Sequence, residues 1–182
     1  STGASSVGGA GSDITVTAGA GGNSSGGTDT GGAGGDIVVT AGAGGTGATA
    51  GAAGYIIKRS SEFVLQATQT AKTTSATLTA AEVLAGILTV NQGGGATSSL
   101  TLPLATSMDT ALPSSIANDA FDFSLINIST VAAEDADILT NTGWTLVGSM
   151  AVQSNDAITS KSSGRFRARK TGAGAWTLYR LS

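Results

Sequence analysis

Cysteine and histidine are both absent from the 182-residue chain. Without cysteine there is no disulfide framework, no thiol nucleophile and no thiolate metal site. Without histidine the commonest general base and metal ligand are missing. No apolar run approaches the roughly 18 residues of a membrane-spanning helix, and no basic-then-apolar signal segment is visible. Aromatic residues are few: four Phe, two Trp and two Tyr. Charge is sparse and nearly balanced, with 9 basic and 12 acidic residues giving a net charge of -3. That balance argues against a nucleic-acid binder working by phosphate neutralisation. No cofactor site is expected.

Glycine is what the chain has in abundance, and it is unevenly placed. Of 28 glycines, 19 fall in residues 1–54 and 9 in the remainder. The Gly-rich part contains a repeat. Gly8-Gly9-Ala10-Gly11-Ser12-Asp13-Ile14-Thr15-Val16-Thr17-Ala18-Gly19-Ala20-Gly21-Gly22 returns 23 residues later as Gly31-Gly32-Ala33-Gly34-Gly35-Asp36-Ile37-Val38-Val39-Thr40-Ala41-Gly42-Ala43-Gly44-Gly45, identical at 13 of 15 positions. A decayed third copy follows at Gly54-Tyr55-Ile56-Ile57. Each copy predicts one short strand, with Ile14 and Val16, or Ile37 and Val39, on one face. A segment this poor in apolar surface cannot offset its own ordering entropy. It is therefore expected to be an assembly arm, buried by neighbouring copies as in a fibre.

Two motifs are imitated in the arm. The second copy spells the calcium-binding nonapeptide G-G-x-G-x-D-x-U-x. That motif works by stacking adjacent nine-residue turns, whereas these copies are 23 residues apart. Asp13 and Asp36 are more simply strand-starting residues that cap local backbone donors. Gly42-Ala43-Gly44-Gly45-Thr46-Gly47 spells GxGxxG, yet no amphipathic helix follows it to hold a dinucleotide.

Residues 55–62 read as a hinge and residues 63–182 as a globular head of ordinary size for one core. Thr79-Ala80-Ala81-Glu82 is a capping box, and Gly86 ends the short helix after it. Residues 106–112 predict a second helix closed by Pro113. Strands are predicted at 63–67, 87–90, 99–103, 120–128, 137–140, 144–147, 157–160, 164–170 and 175–181. Asn141-Thr142-Gly143 is expected to close a hairpin between 137–140 and 144–147. The expected fold is all-β: a Gly-rich arm followed by a small antiparallel β-sandwich, jelly-roll-like, with one or two short helices.

The end of the chain reads Gly143-Trp144-Thr145-Leu146-Val147-Gly148-Ser149, then Ser163-Gly164-Arg165-Phe166-Arg167-Ala168-Arg169-Lys170-Thr171-Gly172, then Ala175-Trp176-Thr177-Leu178-Tyr179-Arg180. With Leu102-Pro103 and the strand from Phe121 to Asn127, it resembles the small β-domain of tailed-phage and environmental viral structural proteins. Similar fibre, spike and head-decoration proteins carry Gly-rich repeat arms. The resemblance implies a non-enzymatic structural protein, a homotrimer, located on a virion surface or outside cells, with other virion proteins as partners and host attachment as a role. It transfers no catalytic motif. Two other readings stand beside it: a filament subunit whose arm inserts a strand into the next copy, and a calcium-dependent adhesin.

Arg165, Arg167 and Arg169 alternate, so a strand there places three guanidinium groups on one face. With Lys170 they form the candidate contact surface, suited to an acidic glycan or cell surface because guanidinium forks fit carboxylate and phosphate. The competing readings are a solvated edge strand and salt bridges to Glu134, Asp135 and Asp137 of a neighbouring copy. Trp144, Trp176 and Tyr179 suit a sugar platform or a core, and their scarcity favours the core. Glu134, Asp135 and Asp137 are clustered too tightly in an Ala-rich loop to suggest paired glycosidase carboxylates.

Overall fold

In a computed structural model, the chain divides into two compact units, Ser1–Glu62 and Phe63–Ser182. The structure describes residues 14–25, 30–32, 34–35, 37–40, 42–43, 46, 66, 68–69, 71–156 and 161–182. The expected hinge, the strand at 157–160, the strand at 63–67 apart from Gln66, and Asp13 and Asp36 lie outside the described residues.

In the first unit, residues 14–17 and 37–40 are not strands. Backbone pairing falls instead on the glycines between them. Gly32 N–H donates to Gly22 O at 2.9 Å, and Gly35 N–H donates to Gly19 O at 2.9 Å. Among the described residues these two bonds join segments that run in opposite directions, and they lie three residues apart on each. Close approach explains the glycine: a Cβ on Gly32 would lie 3.2 Å from Gly22 N. The strand expectation failed because Ile-x-Val alternation marks an extended chain without fixing which residues pair.

The second unit contains β1 (Ala76–Thr77), α1 (Ala80–Leu84), β2 (Ile87–Val90), β3 (Ser98–Thr101), α2 (Ala105–Ala111), β4 (Ala120–Asn127), β5 (Ala136–Leu139), β6 (Trp144–Val147), β7 (Ala151–Val152), β8 (Ser163–Gly172) and β9 (Ala175–Arg180). Thr79 and Glu82 form the capping box at α1: Thr79 N–H donates to Glu82 Oε2 at 2.8 Å and Glu82 N–H donates to Thr79 Oγ1 at 3.3 Å. Gly86, at φ +82°, turns the chain out of α1.

The strands form a four-stranded sheet, β1-β3-β5-β7, and a five-stranded sheet, β2-β4-β8-β9-β6. Up to β7 each successive strand lies in the other sheet, so the chain coils between them. Three same-sheet pairs run parallel, β1 with β3, β3 with β5, and β2 with β4, while β7 runs antiparallel to β5. The β8–β9 hairpin is inserted between β4 and β6, antiparallel to β4 and parallel, through β9, to β6. The expected antiparallel, jelly-roll-like sandwich is thus corrected to two mixed sheets. The expected hairpin at 141–143 is corrected with it, because β5 and β6 belong to different sheets. That turn is tied to other elements: Asn141 Nδ2 donates to Leu102 O at 2.8 Å, and Gly143 O accepts from Trp176 N–H at 2.9 Å.

One core joins the sheets. Leu100, Ile138 and Val152 from the smaller sheet pack in the same cluster as Phe123, Leu125, Phe166, Trp176 and Leu178 from the larger. Phe123 and Phe166 stack at 5.4 Å between ring centroids. Burial alternates along β8, so Gly164, Phe166, Ala168 and Lys170 point inward while Arg165 and Arg167 point out.

Candidate functional site

Register places the arginines on the outer face of the larger sheet, where Arg165 lies opposite Ser124, Arg167 opposite Asp122 and Arg169 opposite Ala120. Their partners come from that face and the loop before β4. Arg167 grips Asp122 with two bonds, Nε to Oδ1 at 2.6 Å and Nη2 to Oδ2 at 3.0 Å. Arg165 Nη2 donates to the same carboxylate at 2.8 Å. The two cations, Arg167 first, hold the Asp122 carboxyl below the usual aspartate range. Arg169 Nη1 donates to Asn118 Oδ1 at 2.7 Å. Within the chain, Asp122 of the same sheet is the carboxylate that Arg165 and Arg167 share.

Lys170 is removed from the expected contact surface. It is 8% exposed, and its parity along β8 puts it beside Phe166 and Ala168 rather than the arginines. Lys170 Nζ lies 3.0 Å from Asp109 Oδ1 and donates to Ser115 Oγ at 3.0 Å. Asp109 also accepts from Gly174 N–H at 2.6 Å and Trp176 Nε1 at 2.9 Å. Those donors, Gly174 foremost, hold its carboxyl below the usual range. Trp176 is 1% exposed and Trp144 7%. Both indoles are core, Trp144 Nε1 donating to Pro103 O at 2.8 Å. Tyr179 is half-buried on the outer face, opposite Arg167 and Val147.

Glu134 has a different role from its sequence neighbours. It is 2% exposed, and its carboxylate accepts from Gly93 N–H at 2.9 Å, Gly95 N–H at 2.6 Å and the Ser129 hydroxyl. Gly93 and Gly95, at φ +66° and +71°, turn their amides onto it. The Ser129 hydroxyl above all, then the Gly95 amide, holds the Glu134 carboxyl below the ordinary range despite burial. Asp135 Oδ1 caps Ser154 N–H at 3.0 Å. Among the described residues no group of three or more acidic side chains gathers to hold a metal. Sequence reasoning missed Glu134 because two of its donors, the Gly93 and Gly95 amides, lie some 40 residues away.

The arm residues Ile14, Val16, Ile37 and Val39 are 94, 68, 53 and 65% exposed, and Val38 beside them is 75% exposed. No helix among the described residues is long and apolar enough to cross a membrane. The chain is a β-rich protein of two mixed sheets with few helices. No protein-family model, no curated protein and no solved structure matches it.

Proposed function

We propose that the chain is a non-enzymatic structural protein that self-assembles through its Gly-rich arm and presents its β-sandwich head outward. The exposed Ile14, Val16, Ile37 and Val39 carry this reading. Covering a single such side chain contributes roughly 1.5–3 kcal/mol, so four per chain supply enough to hold copies together. The glycine-to-glycine pairing within the arm leaves those side chains free for a neighbour. The resemblance of the C-terminal strands to viral β-domains supports a homotrimeric fibre, spike or capsid-decoration protein on a virion surface, with host attachment through the head.

An extracellular filament is the second reading, favoured by the edge of β6, which among the described residues pairs with β9 alone. An arm segment from another copy could add there by β-augmentation, and such a head-to-tail joint does not close. Solution mass with electron microscopy tests both. A closed trimer supports the fibre or decoration reading and a growing filament the second. Deleting residues 1–54 is expected to leave a folded monomeric head. A full-length chain that stays monomeric at high concentration would refute the assembly reading.

A further inference from the structure

Most cations of the head are already matched by carboxylates. Lys72 pairs with Glu82, Arg165 and Arg167 share Asp122, and Lys170 pairs with Asp109. Arg169 binds the neutral amide of Asn118. Lys161 forms no carboxylate pair among the described residues, and Arg180 donates to the main-chain oxygens of Ala151, Ser163 and Ser182. These two cations converge on one cleft of about 570 Å³, lined also by Ser149, Ala151, Gln153 and Ser182.

Arg180 is a built part of that cleft. Its guanidinium lies 5.1 Å from the Phe166 ring centroid, and Nη1 donates to Ala151 O at 2.7 Å while Nε donates to Ser182 O. Two glycines make room for it: a Cβ on Gly164 would lie 2.8 Å from Arg180 Cζ, and one on Gly148 would lie 3.0 Å from Arg180 Cβ. The cation is thus fixed before any ligand arrives, which lowers the ordering cost of binding. Lys161 lines the same cleft at an exposed position, its backbone tied to Gln153: Gln153 N–H donates to Lys161 O at 3.2 Å and Lys161 N–H to Gln153 Oε1 at 3.3 Å.

We infer that this cleft binds a carboxylated sugar unit of an acidic polysaccharide, with Lys161 and Arg180 on the carboxylate and Ser149, Gln153 and Ser182 on the hydroxyls. Charge complementarity argues for an anion, and the Nη hydrogens of Arg180 that are not spent on main-chain oxygens can donate to a carboxylate beside Lys161. The volume lies within the range of small-ligand sites. Hydroxyl and amide groups beside the cations suit a polyhydroxylated ring. Among the described residues the lining holds no aromatic side chain, which disfavours stacking of the bases of a single-stranded nucleic acid. The inference rests on the reading of the head as the outward, contact-making part.

The test titrates the full chain with the trimer of galacturonic acid, its methyl-esterified uncharged counterpart and a short single-stranded DNA, following amide shifts by NMR or heat by calorimetry, with solution mass measured on the same samples. The acid trimer is expected to bind, shifting Gln153 and Ser149, and the ester to bind at least about tenfold more weakly, equivalent to about 1.4 kcal/mol. Lys161→Gln is expected to weaken the acid trimer by about tenfold with an unchanged melting temperature. Ser114→Glu, which alters net charge equally in the exposed loop after α2, should leave affinity within about twofold. The inference is overturned if the acid trimer does not bind, if ester or DNA binds as well, if Lys161→Gln has no effect, or if Arg165→Gln abolishes binding instead. An assembled protein that binds no sugar ends this inference alone. A monomer that binds it ends the assembly reading alone.

Discussion

Glu134 shows how one buried carboxylate organises a loop that has no apolar anchor of its own. The Gly93-Gly94-Gly95 segment has no side chain to pack, so its amides are fixed only by the charge they surround. Because the folded-state carboxyl titrates below the ordinary glutamate value of 4.5, its contribution is fully present above that value and is lost as pH falls below it. Urea unfolding of the wild type is expected to show a midpoint that declines below about pH 4.5. Glu134→Gln should have a lower midpoint at pH 7 and a shallower decline in acid; an unchanged acid limb would remove Glu134 from the account. Asp109 is the second residue of this kind, holding the nearly buried Lys170 and the Trp176 indole together. Asp109→Asn keeps an acceptor but leaves the lysine charge unmatched, so it should cost about 2–3 kcal/mol. Replacing the pair jointly, Asp109→Asn with Lys170→Met, should recover much of that loss, because it removes the unmatched charge and keeps an acceptor beside Gly174 N–H and Trp176 Nε1. Chemical denaturation of the three proteins checks the order.

At the scale of elements, the turn between β5 and β6 decides the topology. Gly143 sits at φ +85°, and a Cβ there would lie 2.3 Å from Gly174 O and 2.5 Å from Ala105 Cβ. Gly143→Ala should therefore cost on the order of 3 kcal/mol and shift the β8–β9 turn that carries Gly174, whereas Gly94→Ala, with nothing within 4 Å, should cost under about 1 kcal/mol. Equal losses in thermal unfolding would contradict this. The same turn marks the boundary of what the sequence reveals. The capping box at α1, the alternation of β4 and β8 and the outward arginines were legible because each depends on residues a few positions apart. The pairing of β1 with β3, β2 with β4 and β6 with β9 was not, since a period of two is the same in parallel and antiparallel sheets. The signal against Lys170 as a surface residue was present: if Arg165, Arg167 and Arg169 face out, Lys170 faces in. Arg180 follows the same rule, sharing parity with Trp176 and Leu178, which brings it to the inner side and the cleft.

At the scale of the whole molecule, the arm and the head obey different physics, and that difference can be tested. The head has an apolar core that needs no partner, with Leu100, Phe123, Phe166 and Trp176 each at most 1% exposed. The described arm has no such core; its order rests on backbone bonds between glycines at van der Waals contact, and its Ile and Val side chains face outward. Replacing Gly32 and Gly35 with valine puts branched side chains where Cβ atoms would already lie 3.2 Å and 3.6 Å from opposing backbone. The double variant is expected to lose both arm bonds, seen as faster hydrogen exchange at residues 32 and 35, and to fall from the assembled mass to the monomer. Its head should keep the wild-type melting temperature and tryptophan emission. Ile14→Ser with Ile37→Ser should also yield a monomer but keep the slow exchange, because it removes the apolar contacts and leaves the glycine pairing intact. Assembly driven by apolar contact should persist in molar salt, where surface charge attraction is screened. If the valine variant retains the wild-type mass, glycine pairing is not what presents the apolar residues to a neighbour. If the serine variant does, those residues are not the joint.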